Sequence, residues 1–344
     1  MNLAVAAISV AERLPLPDKA LRFGIDQLVG RTEQKLASGN DNVDADFARA
    51  MDGWPIAVNT TEANDQHYEL PPAFFEIVLG PRRKYSCCLY PDKDTTLEEA
   101  ELLALDETCR HALLEDGQTI LELGCGWGSL SLFMAERFPG SRILSVSNSA
   151  PQRRHIEAEI AKRGLTNLVV VTADMNAFSH EGRFDRIVSV EMFEHMSHWR
   201  LLLERARGWL HDDGRMFIHV FSHRNSPYRF DHADPADWIA QYFFTGGVMP
   251  SHGLMREFSE WFSVEQDWRW NGRHYERTAL DWLRNFDANE AEIRSIFAER
   301  YGRDAPRCMR RWRMFFLVTA GLFGYADGEP WGVSHYLLRP AVRA

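Results

Sequence analysis

The chain has 344 residues, of which 45% are hydrophobic and 26% are charged, and its formal net charge is −10. It is long enough to bury a full core as one large domain, and the negative charge argues against a nucleic-acid-binding surface. No apolar run reaches the roughly 18 residues of a membrane span, no signal peptide or disulfide framework is evident, and no metal-ligand spacing appears, so we expect a cytoplasmic protein without stable membrane insertion or metal.

Helices are predicted before the first strand. Apolar residues recur at helical spacing in 17–37, Pro71-Pro72 opens a short helix, and 96–114 has the pattern of a long helix with Thr95 or Thr96 at its N-cap. We assign 1–60 to an N-terminal helical segment and 61–344 to a single domain. The helix from Leu21 to Leu36 could pack on a second subunit as readily as on its own domain, which leaves a homodimer open.

Strands and helices then alternate. Strands are expected near 119–123, 142–147, 168–172, 184–190 and 214–221, and helices near 128–137, 150–163 and 198–209. This alternation predicts an α/β fold with a doubly wound, mostly parallel sheet. Two later strands, 262–270 and 331–339, would bring the sheet to seven strands. The aromatic-rich blocks 222–260 and 271–328 are expected to be mainly helical inserts that cap a pocket at the carboxyl ends of the strands.

A glycine-rich turn follows the first strand, with Glu122 preceding Gly124, Gly126 and Gly128 in the spacing E-x-G-x-G-x-G. Glycines allow a bare backbone to approach a nucleotide-like ligand. The spacing resembles that of S-adenosylmethionine (SAM) methyltransferases. The glycine backbone would then pack against the methionine part of SAM, and Glu122 would accept a hydrogen bond from its ammonium group or order a water beside it. The structural alternative is a plain strand-to-helix turn.

The ends of the next two strands carry further candidates. Ser147 and Asn148 could hydrogen-bond the ribose, with Gln152 one helical turn on, although Asn148 could instead cap the following helix together with Ser149. Asp174 could accept from the adenine amine, and Met175, the next residue, could pack on the ring. The alternative for that aspartate is an ordinary loop position.

The fourth strand runs into Glu191, Glu194 and His195. Two glutamates and a histidine at the end of a buried strand are costly unless they have partners or a chemical role. Capping of the next helix is the structural alternative for Glu194.

From about Leu21 to Arg339, the chain resembles the cyclopropane fatty acid synthase superfamily of SAM-dependent enzymes, and within it the coclaurine N-methyltransferase branch. The likeness rests on eight strings: His67-Tyr68-Glu69-Leu70-Pro71, Lys84-Tyr85-Ser86-Cys87-Cys88, Thr95-Thr96-Leu97-Glu98-Glu99-Ala100-Glu101, Leu123-Gly124-Cys125-Gly126-Trp127-Gly128-Ser129, Val146-Ser147-Asn148-Ser149, Glu191-Met192-Phe193-Glu194-His195-Met196, Tyr242-Phe243-Phe244-Thr245-Gly246-Gly247 and Leu322-Phe323-Gly324-Tyr325.

The resemblance implies a class I, Rossmann-like methyltransferase that uses SAM, yields S-adenosylhomocysteine and methylates a small-molecule amine. It implies that Glu69, Glu194 and His195 face the amine. Of these, His195 is the better base at neutral pH, because the unperturbed pKa of histidine is about 6.5. The resemblance also implies a SAM site, and we assign the rest of the glycine turn and Glu191 to the same site. That site comprises Tyr85, Ser86, Glu122, Gly124, Gly126, Ser147, Asn148, Gln152, Asp174, Met175 and Glu191.

Two alternatives keep the fold and change the acceptor. Lipid synthases of the superfamily use a bicarbonate held by a Cys, a Glu, a His and a Tyr, and the positions that match here are Cys87, Glu194, His219 and Tyr275. Against this stands the Tyr-Glu-Leu-Pro string, where the lipid enzymes have a Tyr-Asp-x-Gly-Asn type of motif. The second alternative is methylation of a carboxylate or phenol oxygen.

Overall fold

Helices make up most of the described chain before the first strand. The computed structural model describes residues 3–37, 42–58, 70–231, 233–234 and 237–341. The helices are α1 (Leu3–Arg13), α2 (Asp18–Leu36), α3 (Val43–Met51), α4 (Pro72–Val78) and α5 (Leu97–His111). Thr96 is the N-cap of α5. Its hydroxyl accepts from the Glu99 backbone N–H at 3.3 Å and the Glu99 carboxylate accepts from the Thr96 N–H at 2.8 Å, a reciprocal capping box.

A seven-stranded sheet forms the centre of the molecule. Its strands are β1 (Thr119–Leu123), β2 (Arg142–Ser147), β3 (Leu168–Thr172), β4 (Phe184–Val190), β5 (Leu210–His223), β8 (Phe262–Asn271) and β9 (Trp331–Pro340). Their order is β3-β2-β1-β4-β5-β9-β8. The first five strands are parallel, and β9 runs antiparallel between β5 and β8. The predicted seven-stranded, mostly parallel sheet is confirmed.

Helices on both sides of the parallel strands cover the sheet. They include α6 (Ser129–Arg137), α7 (Ala150–Arg163) and α8 (Trp199–Trp209). Ile120, Leu121 and Leu123 of β1 are all fully buried, as a central parallel strand covered on both faces requires. Each connection returns the chain to the same edge, so the loops after β1 to β4 meet there.

The two segments between the later strands differ in structure. The second is helical as expected, with α10 (Arg273–Ala288), α11 (Glu290–Tyr301) and α12 (Ala305–Gly324). The mainly helical prediction for 222–260 is wrong for the described residues. They contain strands β6 (Tyr228–Arg229) and β7 (Val248–Met249), the five-residue helix α9 (Trp238–Tyr242) and a 3₁₀ turn at Leu254–Phe258. Gly246, at φ 80°, and Pro250 disfavour a continuous helix in this segment.

The N-terminal helices pack on the second of these segments. The buried Glu12 carboxylate of α1 accepts from Arg307 at 2.7 Å, from Arg311 at 3.1 Å and from the Trp238 indole at 2.9 Å. On α2, Ile25 lies against Gly321 of α12. The division at residue 60 stays a prediction because it borders 59–69, which lie outside the described residues, and a homodimer also stays a prediction. Among the described residues, no helix is long and apolar enough to cross a bilayer.

Candidate active site

The loops at the carboxyl ends of β1 to β4 line one pocket, whose empty volume, with the space open to solvent included, is about 1190 Å³. All the side chains and glycines expected to hold the cofactor lie on its wall: Tyr85, Ser86, Glu122, Gly124, Gly126, Ser147, Asn148, Gln152, Asp174, Met175 and Glu191. His195 lines the same pocket. Topology explains this convergence, because ligands of open parallel sheets bind beyond the carboxyl ends of the strands.

The glycine turn between β1 and α6 shapes the floor of the pocket. Gly124, Gly126 and Gly128 have φ of 82°, 53° and 83°, in the left-handed region that favours glycine. A Cβ at Gly124 would lie 2.6 Å from the Met192 side chain, and one at Gly128 would lie 2.7 Å from Ile156. A Cβ at Gly126 would meet no atom within 4 Å. The outer two glycines therefore permit close packing, whereas Gly126 leaves open space for a ligand.

Glu122 is a buried carboxylate at the tip of β1. The hydroxyls of Ser131 and Ser145 both donate to its Oε2, the latter at 2.7 Å. Burial raises the pKa of Glu122 to about 6, and these two hydrogen bonds oppose that rise. The carboxylate is thus fixed in orientation at the wall, where it could accept from a cationic ligand group.

Unpartnered polar atoms in the wall fit a polar ligand such as SAM. Gln152 Nε2, Trp127 Nε1 and Ser129 Oγ are buried without a hydrogen-bond partner, and all three residues line the pocket. The Ser147 hydroxyl donates to Gln152 Oε1 at 2.7 Å. The N–H₂ group of the Gln152 amide therefore points away from Ser147. The capping alternative holds for Ser149, whose hydroxyl accepts from the Gln152 N–H at 3.4 Å.

Asn148 differs from its structural alternative, whereas Asp174 makes the local contact of a loop residue and also lines the pocket. Asn148 lies on the pocket wall and is not the N-cap of α7, since Ser149 has that place. Asp174 Oδ1 accepts from the Asn176 N–H at 2.7 Å, a local turn contact, and the residue also lines the pocket beside Met175. Both residues are therefore placed where a nucleoside could reach them.

Glu191 is the most heavily bonded carboxylate of the pocket. It accepts from the Cys87 N–H at 2.8 Å and from the Tyr275 hydroxyl at 2.6 Å, and its Oε1 lies 3.1 Å from His219 Nε2. Burial raises its pKa, and the nearby Lys84 ammonium works in the opposite direction. Cys87, His219 and Tyr275, expected to hold a bicarbonate in the lipid alternative, thus surround a carboxylate that belongs to the chain.

Glu194 and His195 share a 3₁₀ turn at Phe193–His195, but only His195 reaches the pocket wall. The His195 ring stacks on Phe244 with centroids 5.2 Å apart, and burial lowers its pKa to about 4, so the ring is neutral at pH 7. Glu194 is buried outside the lining residues, its Oε2 has no partner, and burial raises its pKa well above the usual value. Glu69 lies outside the described residues.

Sequence reasoning missed Lys84. This buried lysine donates to the Ser86 hydroxyl and to the Cys87 carbonyl, both at 2.6 Å, and so fixes the loop that carries Tyr85 and Ser86. A single lysine before an aromatic residue carries no pattern that marks it as buried. Nothing in the described part of the chain groups three or more His, Cys, Asp or Glu residues as a metal site, and the absence of a metal stays a prediction.

Residues 57–325 match the family model of mycolic acid cyclopropane synthetase, and the chain belongs to this family. It is 37% identical over 289 residues to (S)-coclaurine N-methyltransferase of Thalictrum flavum subsp. glaucum, covering 83% of this chain and 80% of the relative. It is 30% identical to the cyclopropane-fatty-acyl-phospholipid synthase of Escherichia coli (strain K12), covering 78% of this chain and 66% of that protein.

A crystal structure of coclaurine N-methyltransferase bound to N-methylheliamine and S-adenosylhomocysteine superposes with a TM-score of 0.93 at 32% identity, covering 97% of this chain and 99% of that one. The predicted class I fold and family resemblance are confirmed. These relatives also bear out the prediction of a SAM-dependent N-methyltransferase.

Proposed function

We propose that this enzyme transfers the methyl group of SAM to the nitrogen of a small amine that carries an aromatic or apolar body. The observation that carries the proposal is the Glu191 carboxylate, held at the pocket wall by three hydrogen-bonding groups beside the neutral His195. A buried carboxyl group that can ionise next to a neutral base suits a cationic substrate that must lose a proton. Phe244, stacked on His195, and Phe221, whose ring lies 5.5 Å from Phe244, would cover the body of the substrate.

The residues of the glycine turn and of the next two strand ends would hold the cofactor. Bound SAM supplies a methyl group that its sulfonium already activates. Glu122 would balance the ammonium of the methionine part, while the unpartnered Gln152 Nε2 could donate to a ribose or carboxylate oxygen. Asp174 would accept from the adenine amine. Alignment of donor and acceptor in this way can lower a barrier by up to about 7–11 kcal/mol.

Deprotonation of the acceptor is the chemical task left to side chains. An alkyl amine is mostly protonated at pH 7, as the lysine pKa of about 10.4 illustrates. Desolvation in the pocket lowers that pKa, and the Glu191 carboxylate attracts the cation and offers a place for its proton. His195, neutral through burial, is the proposed base at the pocket wall, and Glu69 is proposed to orient the amine. The same role for Glu194 stays a prediction, since this residue does not line the pocket.

The same contacts argue against the lipid alternative. A bicarbonate would need the donors and acceptors of Cys87, His219 and Tyr275, and those groups already bind Glu191. A second anion beside this carboxylate would be repelled in a buried site. The arrangement therefore favours an amine acceptor over an acyl chain.

Isotopically labelled SAM tests the acceptor. Purified enzyme is given methyl-labelled SAM with a panel of aromatic and aliphatic amines, and in parallel with vesicles of unsaturated phospholipid. We expect label in amines and none in lipid. Label in acyl chains that depends on added bicarbonate would contradict the proposal.

A further inference from the structure

A line of hydrogen-bonded side chains leads from Glu191 away from the pocket. Beyond His219, whose Nε2 contacts Glu191, the His219 Nδ1 lies 2.8 Å from His335 Nε2. The His335 Nδ1 lies 2.8 Å from His111 Nδ1, and the His111 Nε2 lies 3.0 Å from Glu107 Oε1. Each contact is within hydrogen-bond distance. The line thus joins the pocket to a carboxylate on the outer side of α5.

The three rings are held rigidly. His219 and His335 are direct cross-strand partners in β5 and β9, and His111 is the last residue of α5. All three are at most 2% exposed. The His111 ring stacks on Trp268 with centroids 3.7 Å apart and an interplanar angle of 8°. The pocket end, Glu191, is buried, whereas the Glu107 side chain is 25% exposed.

Neutral imidazoles can pass a proton along such a line. Burial lowers the pKa of His219, His335 and His111, the last to about 4, so each ring carries one N–H and one lone pair at neutral pH. In one pattern every N–H points outward, from a protonated Glu191 towards a Glu107 carboxylate. In the other every N–H points inward, and the lone pair of His111 Nε2 then accepts from the Arg110 guanidinium 2.9 Å away. The two patterns differ by one proton moved from end to end.

The ends differ in their affinity for a proton. Burial raises the pKa of Glu191, whereas hydrogen bonds from the Arg110 guanidinium lower the pKa of Glu107. A proton that reaches Glu107 is therefore given up to water. Transfer from Glu191 to Glu107 is therefore uphill along the line itself, and it is completed because Glu107, with the lower pKa, loses the proton to water.

We propose that this line is a proton relay that discharges the active site during amine methylation. The inference rests on the proposed function, in which a substrate ammonium must lose a proton while the pocket is filled. His219, His335 and His111 are positioning residues in this account, since they act through Glu191. No motif marked His335 and His111, because these two residues meet only in the folded chain.

The transfer balances as follows for one turnover. The O–H bond of Glu191 breaks as His219 gains a proton on Nε2 and loses one from Nδ1. His335 then gains on Nε2 and loses from Nδ1, His111 gains on Nδ1 and loses from Nε2, and Glu107 gains an O–H bond. The proton that the ammonium gives up to His195, the proposed base, ends on the ionised Glu191. Bound SAM would then supply its methyl group to the freed amine lone pair, the N–C bond forming as the C–S bond breaks. After the product has left, Glu191 loses this proton to water in the open pocket. A proton that enters at Glu107 then returns along the line, which restores the outward pattern and the protonated Glu191.

Two variants interrupt the relay at different depths. His111→Asn can still donate to His335 but cannot pass a proton, and Glu107→Gln removes the outer acceptor at a partly exposed position. Glu98→Gln, an exposed glutamate in the first turn of the same helix, is the matched control. Methyl transfer is followed in single turnovers with an amine accepted by the wild type, with and without added imidazole as a diffusible proton carrier.

We expect methyl transfer to slow at least tenfold in His111→Asn and Glu107→Gln, with SAM affinity and melting temperature close to the wild type, and no change in Glu98→Gln. Imidazole should restore the rate of Glu107→Gln, because it can reach the exposed outer end, and leave His111→Asn slow. Rates within twofold of the wild type, or losses that imidazole does not change in either variant, would overturn the relay. A wild type that methylates no amine would contradict the proposed function and the relay together.

Discussion

Glu191 is the residue on which the site depends. Its φ of 46° lies in the left-handed region, which is unusual for a residue with a side chain and costs about 1–3 kcal/mol. Strain of this size persists where surrounding contacts hold the residue, and here Cys87, His219 and Tyr275 do so. Sequence reasoning placed this glutamate in the cofactor site. Its contacts place it between the cofactor loop and the residues of the bicarbonate alternative.

Replacement by glycine separates the chemical role of Glu191 from its structural cost. We expect Glu191→Gly to lower kcat by at least about 100-fold, a typical contribution of a positioned acid–base group. Thermal stability should stay near or above the wild type because the strain and the buried carboxylate are both removed. Added formate, a small carboxylate, should restore part of the rate by binding the vacated donors.

Leu113→Gly is the matched control for this change. Leu113 also has a positive φ, 52°, and its half-exposed side chain is not among the pocket-lining residues. The Leu113→Gly variant should have the thermal stability of Glu191→Gly and the kcat of the wild type. Full activity in Glu191→Gly would contradict the role assigned to the carboxylate.

At the scale of elements, the turn between β1 and α6 determines whether the pocket can accept a ligand. Gly126 and Gly117 both have positive φ and open space where a Cβ would lie, but only Gly126 lines the pocket. We expect Gly126→Ala to weaken SAM binding at least tenfold, while Gly117→Ala leaves it unchanged, in calorimetric titrations. Both variants should lose about 1 kcal/mol of unfolding free energy through backbone strain. This shared loss is the internal standard against which their SAM affinities are compared. Equal SAM affinity in the two variants would contradict the proposed cofactor site.

Elements that carry a periodic pattern could be predicted, and those without one could not. The strand ends at Leu123, Ser147, Thr172 and Val190 match the predictions, so the residues that follow them fall together on the pocket wall. The fifth strand was expected at 214–221 and spans Leu210–His223, because its polar extension has no apolar alternation. The segment 222–260 is rich in aromatic residues, which occur in helices as well as in strands. Composition alone therefore could not exclude a helix.

At the scale of the whole molecule, contacts between distant parts of the chain complete the site. The relay joins α5, β5 and β9, and its central pair exists because β9 lies between β5 and β8 with His335 in register with His219. Local patterns predicted both strands, but strand order and register are set by the packing of the entire sheet. The same limit applies to Cys87, His219 and Tyr275, the three groups around Glu191, which come from three separate segments.

The most direct test of the account is the turnover of an accepted amine in buffer freed of carbon dioxide and bicarbonate. The account holds that the Glu191 carboxylate occupies the place that a bicarbonate would need, so the wild-type rate of N-methylation should be unchanged by the removal and by bicarbonate added back. A rate that falls on removal and recovers on addition would show that an external anion is required, which would contradict the central role of Glu191.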